Sequence, residues 1–205
     1  MENDMSFPAS EEEVTPEVKQ EENGSVLSYL HELVYGIVGI LLVFMFVFRI
    51  VVVSGPSMQQ TLINGDSLIL LSNVFYRNPK PGDIVVISKD SFKDGEPFIK
   101  RVIATEGQEV DIDFYAGVVY VDGVALEEPY ASTMTNLYEG VTFPLVVEDG
   151  CIFVLGDNRN DSWDSRSKEI GQIDCREVLG QAIFIAFPAK NDETQIRDFS
   201  RIGGL

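Results

Sequence analysis

A serine beside a long apolar run is the first residue of this chain whose setting points to covalent chemistry. Ser57 lies in the segment Ser54-Gly55-Pro56-Ser57-Met58-Gln59-Gln60-Thr61-Leu62. The single histidine of the 205 residues, His31, precedes the apolar run, so a Ser-His-Asp triad cannot be built after it. If Ser57 is a nucleophile, a residue other than histidine must activate it.

Lys100 is the candidate base for Ser57. A serine hydroxyl is a weak nucleophile, and a lysine can accept its proton when burial among apolar neighbours favours the neutral amine. Lys100 lies in the segment Phe98-Ile99-Lys100-Arg101-Val102-Ile103, and strand alternation places Phe98, Lys100 and Val102 on one face. Taken alone this pattern is weak, because a strand lysine ordinarily points to water.

A polar loop late in the chain is the third candidate element. Gly156 to Arg166 reads Gly-Asp-Asn-Arg-Asn-Asp-Ser-Trp-Asp-Ser-Arg, which is richer in charges, amides and hydroxyls than a turn requires. Asp164 and Arg166 could pair and fix the loop, while Ser162 or Ser165 could accept a hydrogen bond from a lysine amine. An ordinary surface loop has a similar composition, so this loop is informative together with the other two segments.

Short apolar runs separated by turn residues predict that an antiparallel β domain positions these groups. Asp122-Gly123, between two such runs, is typical of a tight hairpin. About 150 residues remain outside the acidic tail and the apolar run, which is enough for one domain with its own core. The predicted strands are Ser67–Ser72, Asp83–Ser88, Phe98–Thr105, Val118–Val121, Val124–Leu126, Ile152–Leu155 and Val178–Phe187.

The apolar run before Ser57 has the length of a membrane span. Leu33 to Phe48 carries no charge, and continuing past Arg49 to Val53 gives a helix of roughly 31 Å. Arg49 lies near one end, where its long side chain can reach the headgroups. A buried core helix and a cleaved signal peptide are the alternatives. The length and uniform apolarity argue against the first, and the acidic start argues against the second.

Composition excludes several classes of function. The net charge of −18 would repel phosphate backbones, so nucleic acid is not an expected partner. Met1 to Ser25 holds eight acidic residues against one lysine and lacks apolar periodicity, which predicts a disordered tail. Cys151 and Cys175, with one distant histidine, do not supply the ligands of a zinc site. They are either one disulfide or two buried thiols.

Together and in this order, the three segments resemble a bacterial type I signal peptidase, a Ser/Lys dyad endopeptidase of peptidase family S26. The resemblance covers Val34 to Pro188. It implies a mainly β fold, an antiparallel β-barrel-like catalytic domain of the signal peptidase/LexA-like kind with one N-terminal transmembrane helix. The motifs that carry it are Ser57-Met58 with Thr61-Leu62, Gly82-Asp83, Lys100-Arg101-Val102-Ile103, and Gly156-Asp157-Asn158-Arg159 through Ser162 to Asp164-Ser165-Arg166.

The resemblance implies a serine-lysine dyad in which Ser57 is the nucleophile and Lys100 the general base. The backbone N–H of Ser57 would donate to the oxyanion, as preorganised amides do in acyl transfer. Some members add a serine hydroxyl two residues before the nucleophile, but Gly55 stands at that position, so the second donor stays open. The resemblance also assigns roles in the supporting loop. Ser162 matches the position whose hydroxyl orients the lysine amine, and Asp164 with Arg166 match the ion pair that braces the site. Gly156 and Asp157 match the start of the same loop.

The implied substrates are secretory preproteins, cleaved after their signal peptides at Ala-x-Ala type sites. Bulky apolar walls would leave room for small side chains in two pockets, the first lined by Val53, Met58, Leu62 and Ile99, the second by Val51 and Val86. The resemblance implies no metal and no cofactor. It makes the lipid bilayer a partner and leaves open whether the translocation channel is another.

The family's organisation predicts a single-pass protein of the cell membrane with its catalytic domain outside the cytoplasm. The expected parts are an acidic disordered cytoplasmic tail (1–28), a transmembrane helix (29–53), a catalytic domain (54–190) and a C-terminal tail (191–205). Flanking positive charges are too few to set the orientation by themselves.

Some positions depart from the family pattern, and two other functions compete. Gln60 replaces a usual proline, and Ala104, Glu106 and Gln108 stand where Gly, Pro and Asp are usual, yet none of these removes a proton-transfer group. A LexA-like self-cleaving regulator would need a basic DNA-recognition helix, which the chain lacks. A degenerate membrane-tethered β module without catalysis would have no need of Ser57, Lys100 and the loop residues together.

Overall fold

The computed structural model describes residues 26–191 and 194–205. The acidic segment that the sequence predicts to be disordered, up to residue 25, lies outside the described residues. The strand bounds are β1 Phe48–Val52, β2 Ser67–Ser72, β3 Ile84–Ile87, β4 Phe98–Thr105, β5 Glu109–Asp113, β6 Val118–Val121, β7 Val124–Ala125, β8 Leu145–Val146, β9 Cys151–Leu155, β10 Ile173–Asp174, β11 Val178–Phe187 and β12 Gly203–Gly204.

One long helix, α1, runs from Val26 to Val47. Within the described residues it is the one helix long and apolar enough to cross a membrane. Its 22 residues extend about 33 Å at the rise of an α-helix. The side chains from Val26 to Phe46 are exposed in the protein alone.

The helix ends earlier than the sequence indicates, which corrects the prediction of helix over 29–53. Phe48 to Val52 forms strand β1 instead, antiparallel to β2, with Phe48 opposite Leu71 and Val52 opposite Ser67. The physical reason is the β-branched run from Ile50 to Val53, whose stiff side chains favour a strand once a partner strand is available. The nucleophile candidate therefore follows a sheet strand rather than the helix.

Two antiparallel sheets form the body of the protein. The larger has the order β1-β2-β11-β3-β4-β9-β10, with β12 paired to β11; the smaller has the order β7-β6-β5-β8. The predicted mainly antiparallel β fold is confirmed, and β2, β4 and β11 have the predicted bounds. The predicted hairpin is present too: Asp122 and Gly123 both adopt positive φ, 52° and 77°, between β6 and β7.

Three apolar clusters hold these sheets in place. The cluster that concerns the site lies below the segment after β1 and contains Val53, Met58, Leu62, Leu68, Ile84, Ala182 and Ile185. A second lies on the face of β3, β4, β9 and β10, and includes Val85, Ile87, Val102, Ile152, Val154 and Ile173. The third joins the two sheets through residues such as Ile103, Val110, Val119, Phe153 and Leu155.

The described residues of the predicted C-terminal tail (191–205) include short elements that pack on the larger sheet. A 3₁₀ turn at Phe199–Arg201 precedes β12, which pairs with β11 so that Phe184 lies opposite Gly204 and Ile185 opposite Gly203. Short polar segments such as Asp198-Phe199-Ser200-Arg201 have no periodicity from which this pairing can be predicted.

Candidate active site

Ser57 lies in a tight turn that its neighbours anchor in the core. The N–H of Gln59 donates to the carbonyl of Pro56 at 3.0 Å, and that of Leu62 donates to the carbonyl of Met58 at 2.8 Å. Met58 and Leu62 are 1% and 0% exposed, so the turn is fixed from below. Gly55 enters the turn with φ of 90°, a conformation that side chains other than hydrogen disfavour.

Lys100 occupies the middle of β4, opposite Val85 of β3, and is only 3% exposed. Its Nζ lies 2.7 Å from the Oγ of Ser57 and donates to the carbonyl of Ile99 at 2.9 Å. The ring of Phe98 is 5.6 Å from the same nitrogen. Burial against apolar groups opposes the charged ammonium form, and the distance suits direct proton transfer from the hydroxyl.

A buried ion pair next to Lys100 ties three segments together. Arg101 donates from Nε and Nη2 to the two carboxylate oxygens of Asp157, at 2.8 and 2.7 Å. The hydroxyl of Thr61 donates to Asp157 at 2.5 Å. The guanidinium also lies 4.0 Å from the ring of Tyr130. The segment after Ser57, strand β4 and the polar loop are thus fixed relative to one another by one carboxylate.

The predicted pair of Asp164 and Arg166 forms inside the loop. Arg166 donates from Nε to Oδ1 and from Nη2 to Oδ2, both at 2.9 Å, and both side chains are fully buried. The second oxygen of Asp164 also accepts the N–H of Gly156 at 3.0 Å. A bidentate geometry with an added backbone donor is what a buried carboxylate needs to offset its lost hydration.

The same loop touches the nucleophile through its backbone. The N–H of Asn158 donates to the carbonyl of Ser57 at 3.0 Å. Gly156 is packed so closely that a Cβ at this position would lie 2.1 Å from the Oγ of Ser162 and 2.6 Å from the carbonyl oxygen of Ser57. The sequence predicts a special role for Gly156 by resemblance alone, and the structure supplies a steric reason for glycine.

Comparison with known proteins gives the family. A family model described as signal peptidase, peptidase S26, matches residues 26–187. The chain belongs to the signal peptidase family. Signal peptidase I of Bacillus licheniformis is 32% identical over 183 residues, covering 85% of this chain and 96% of that one. Probable signal peptidase I-1 of Synechocystis sp. is 37% identical over 145 residues, covering 67% of this chain and 70% of the relative. The crystal structure of a signal peptidase I from Enterococcus faecalis has a TM-score of 0.42 and 30% identity, covering 51% of this chain and 96% of the other.

Membership of the signal peptidase family makes the chain a serine endopeptidase, a hydrolase of peptide bonds. Ser162, expected to orient the lysine amine, is buried at 4% exposure beside Gly156. Its Oγ makes no hydrogen bond among the described residues. A Cβ added at Gly156 would meet both this hydroxyl and the carbonyl oxygen of Ser57, so the two groups lie on the same side of Gly156.

A small cavity opens beside Ser57 and Lys100 in this member of the signal peptidase family. It measures about 250 Å³ and is bounded on two sides by the turn that contains Ser57 and by β4. Among the predicted pocket residues, Ile99 lines this cavity. Val53, Met58, Leu62 and Val86 are at most 4% exposed, and Val51 is half-buried. None of these five is among the residues that line this cavity. The lining residues are Ser54, Gly55, Pro56, Ser57, Phe92, Phe98, Ile99, Lys100, Asp161 and Trp163.

Two aromatic residues in this lining, Phe92 and Trp163, were not singled out by sequence reasoning. The ring of Phe92 lies 5.6 Å from that of Trp163 in a tilted arrangement and meets Phe98 edge-on at 5.4 Å. Phe92 lies in the connection between β3 and β4, and Trp163 lies in the polar loop, so nothing in the local pattern joins them. The single tryptophan inside an otherwise polar motif is the signal that could have indicated an exposed functional aromatic.

Glu139 is a carboxylate near the site that the sequence did not single out. Its Oε2 is buried and makes no hydrogen bond among the described residues. Burial raises the pKa of Glu139, and the negative charge of Asp164 adds to the effect, while Arg166 and Lys100 lower it. The segment around it is held to the loop, because Arg166 donates to the carbonyl of Leu137 at 3.3 Å.

In the described part of the chain, no three His, Cys, Asp or Glu residues are grouped so that they could bind a metal ion. Cys151 and Cys175 are free thiols in the structure. Burial raises the pKa of both thiols, which keeps them in the less reactive protonated form.

Proposed function

We propose that this protein cleaves the signal peptides of secretory preproteins, with Ser57 as nucleophile and Lys100 as general base. Its relatives carry the name signal peptidase I. The observation that carries the proposal is the distance of 2.7 Å between Lys100 Nζ and Ser57 Oγ, with the lysine 3% exposed. A surface lysine would be protonated and unable to accept a proton. Lys100 is buried, and burial favours the neutral amine that can accept one.

The proposed reaction has two acyl-transfer steps. The neutral amine of Lys100 takes the proton of Ser57 as Oγ bonds to the scissile carbonyl carbon, and the carbonyl oxygen becomes negative. The carbon–nitrogen bond then breaks, and the proton passes from Lys100 to the leaving amine. Water then attacks the ester carbon while Lys100 accepts its proton. The bond between that carbon and Oγ breaks, the proton passes from Lys100 to Ser57 Oγ, and the signal peptide leaves as a carboxylate. The N–H of Ser57 is the proposed donor to the oxyanion.

Substrate binding by strand addition is supported by the start of β4. Strand β9 pairs with β4 from Arg101 onward, and among the described strands none lies beside Phe98 and Ile99 on that side. An extended peptide placed here would pair its backbone with β4 and bring a carbonyl to Ser57. Asp157, Asp164 and Arg166 hold the surrounding loop, and Ser162 is proposed to orient the lysine amine when substrate is bound.

Membrane attachment through α1 would place this site where its substrates emerge. The helix, about 33 Å long, is sufficient for a hydrocarbon core. Strand β1 follows it directly, and the nucleophile turn follows β1. We therefore propose a single-pass protein of the cell membrane whose catalytic domain lies outside the cytoplasm beside the bilayer.

Cleavage of a defined precursor tests this function. The full chain in liposomes should cut a precursor with an Ala-x-Ala site directly after the second alanine, as measured by N-terminal sequencing of the product. Changing either alanine to leucine should lower the rate at least ~100-fold, because the bulky side chains of Phe92, Phe98 and Trp163 line the cavity and leave room for small side chains. Leucine at the middle position is the control and should change the rate less than about threefold. Equal cleavage of all four precursors would contradict the proposed specificity.

A further inference from the structure

The C-terminal segment contacts the turn that carries the nucleophile, although it lies beyond the residues that match the family. The match ends at residue 187. Arg201 lies in the 3₁₀ turn at the end of the chain, where the N-cap residue Asp198 accepts the N–H of Ser200 at 3.0 Å. Strand β12 then pairs with β11, so this turn is held on both sides.

Arg201 makes a bidentate ion pair with a carboxylate deep in the domain. Its Nη1 donates to Oδ1 of Asp66 at 3.0 Å, and its Nη2 donates to Oδ2 at 2.7 Å. Asp66 is fully buried, whereas the side chain of Arg201 is 21% exposed. The planar fork of arginine suits this geometry, and a lysine could not reproduce it.

Arg201 also reaches the turn directly after the nucleophile. Its Nη2 donates to the carbonyl of Thr61 at 3.1 Å, and Asp66 accepts the N–H of Ile63 at 2.8 Å. The carbonyl of Asp66 accepts the N–H of Val53, also at 2.8 Å. Both ends of the segment that contains Ser57 are therefore fastened to one ion pair.

The contacts continue from Thr61 to the base. The hydroxyl of Thr61 donates to Asp157, and Asp157 pairs with Arg101, the residue next to Lys100. Thr61 follows Ser57 by four residues, and Arg101 follows Lys100 by one. Arg201 is thus linked, through Thr61 and Asp157, to residues near both members of the dyad.

We propose that Arg201 is a positioning residue, which sets the distance between nucleophile and base by holding the turn from Thr61 to Asp66. It does not touch the reacting atoms. The inference rests on the proposed function, because it concerns the same dyad. A displacement of about 1 Å between reacting groups can lower a rate about 100-fold while substrate binding is kept, so loss of Arg201 should reduce kcat rather than raise KM.

The test uses the full chain in liposomes and an Ala-x-Ala precursor. Arg201→Lys keeps the charge near Asp66 but loses the contact with Thr61, and it should lower kcat about tenfold with KM within about twofold of wild type. Rates are taken per folded enzyme, at a temperature well below the melting point measured by circular dichroism. Arg197→Lys is the matched control. Arg197 lies in the same segment but donates to the carbonyl of Pro188 and lies over the ring of Phe187. The kcat of Arg197→Lys should therefore equal that of wild type.

A second variant pair separates positioning from stability. Arg201→Met leaves the Asp66 carboxylate buried and unpaired, so Tm should fall. In the double variant Asp66→Asn with Arg201→Met, Tm should recover in part because no buried charge is left unpaired. The value of kcat should stay low, because the hydrogen bond from Arg201 to the carbonyl of Thr61 is still missing. Recovery of kcat together with Tm, or an unchanged kcat in Arg201→Lys, would overturn the inference. Ser57→Ala is run beside them: if it still cleaved, the proposed function itself would fail.

Discussion

Replacing Lys100 by methionine should lower the rate of precursor cleavage by ~10³-fold or more, the contribution expected of a general base that also serves nucleophile activation. Methionine has a similar length and an apolar character, and it fits the environment in which the lysine is 3% exposed. The free energy of unfolding should therefore stay the same or rise, because the cost of burying an amine disappears. Initial rates and a denaturant titration on the same preparation measure both quantities.

Lys80→Met is the matched control for that experiment. Lys80 is exposed in the turn before β3, and its described hydrogen bonds are made by its backbone: its N–H donates to the carboxylate of Asp83 at 2.9 Å, and its carbonyl accepts the N–H of Asp83 at 3.0 Å. Its replacement should leave the rate unchanged. Cleavage by Lys100→Met within tenfold of wild type would show that another group accepts the serine proton.

Replacing Arg166 by methionine should destabilise the protein by about 3–5 kcal/mol, the usual cost of leaving one member of a buried ion pair unpaired. Asp164 is fully buried and would keep its backbone donor, Gly156, but lose both guanidinium bonds. Arg166 also donates to the carbonyls of Arg159 and Leu137, so the loop over the dyad loses three anchors at once. Urea unfolding followed by circular dichroism measures the change, and adding Asp164→Asn should restore part of it.

The chain contains its own control for this prediction. Asp174 and Arg176 have the same Asp-x-Arg spacing and also form an ion pair, but the arginine side chain is 90% exposed. Arg176→Met should change the free energy of unfolding far less than Arg166→Met, because exposed pairs gain little over hydration. Equal effects of the two substitutions would show that burial of the loop pair is not what stabilises it.

These two pairs also show where sequence reasoning reaches its limit. Asp164-Ser165-Arg166 and Asp174-Cys175-Arg176 have the same charges at the same spacing, yet one pair is at the centre of the site and the other is on the surface. Burial depends on what packs over a loop from distant parts of the chain. The first pair was selected by its resemblance to a family motif, and no local pattern would have separated it from the second.

Strands were predicted well where local and tertiary preferences agree. β2, β4 and β11 are apolar runs bounded by turn residues, and their bounds were predicted to the residue. The C-terminal end of α1 was predicted too late because the apolar run continues unbroken into β1. Composition does not show at which residue the chain leaves the helix and pairs with another strand. Tertiary pairing with β2 decides that boundary.

The candidate site was partly visible in the sequence. Ser57, Lys100 and the loop were proposed from their residue types and order, and the structure brings them into contact. Phe92, Trp163, Glu139 and Arg201 were not singled out. Phe92, Glu139 and Arg201 come from segments whose own pattern is that of an ordinary connection, and Trp163 is the apolar residue of a loop noted for its polar groups. Each reaches the site through interactions that span between 25 and 140 residues of chain.

Substitution of Ser57 by alanine tests the central claim most directly. In liposomes carrying equal amounts of folded enzyme, Ser57→Ala should leave an Ala-x-Ala precursor uncut over a period in which wild type cleaves it completely. Ser28→Ala, which removes an exposed serine of α1 that does not line the cavity, should cleave at the wild-type rate. Processing by Ser57→Ala at a rate near that of wild type would contradict the assignment of Ser57 as the nucleophile.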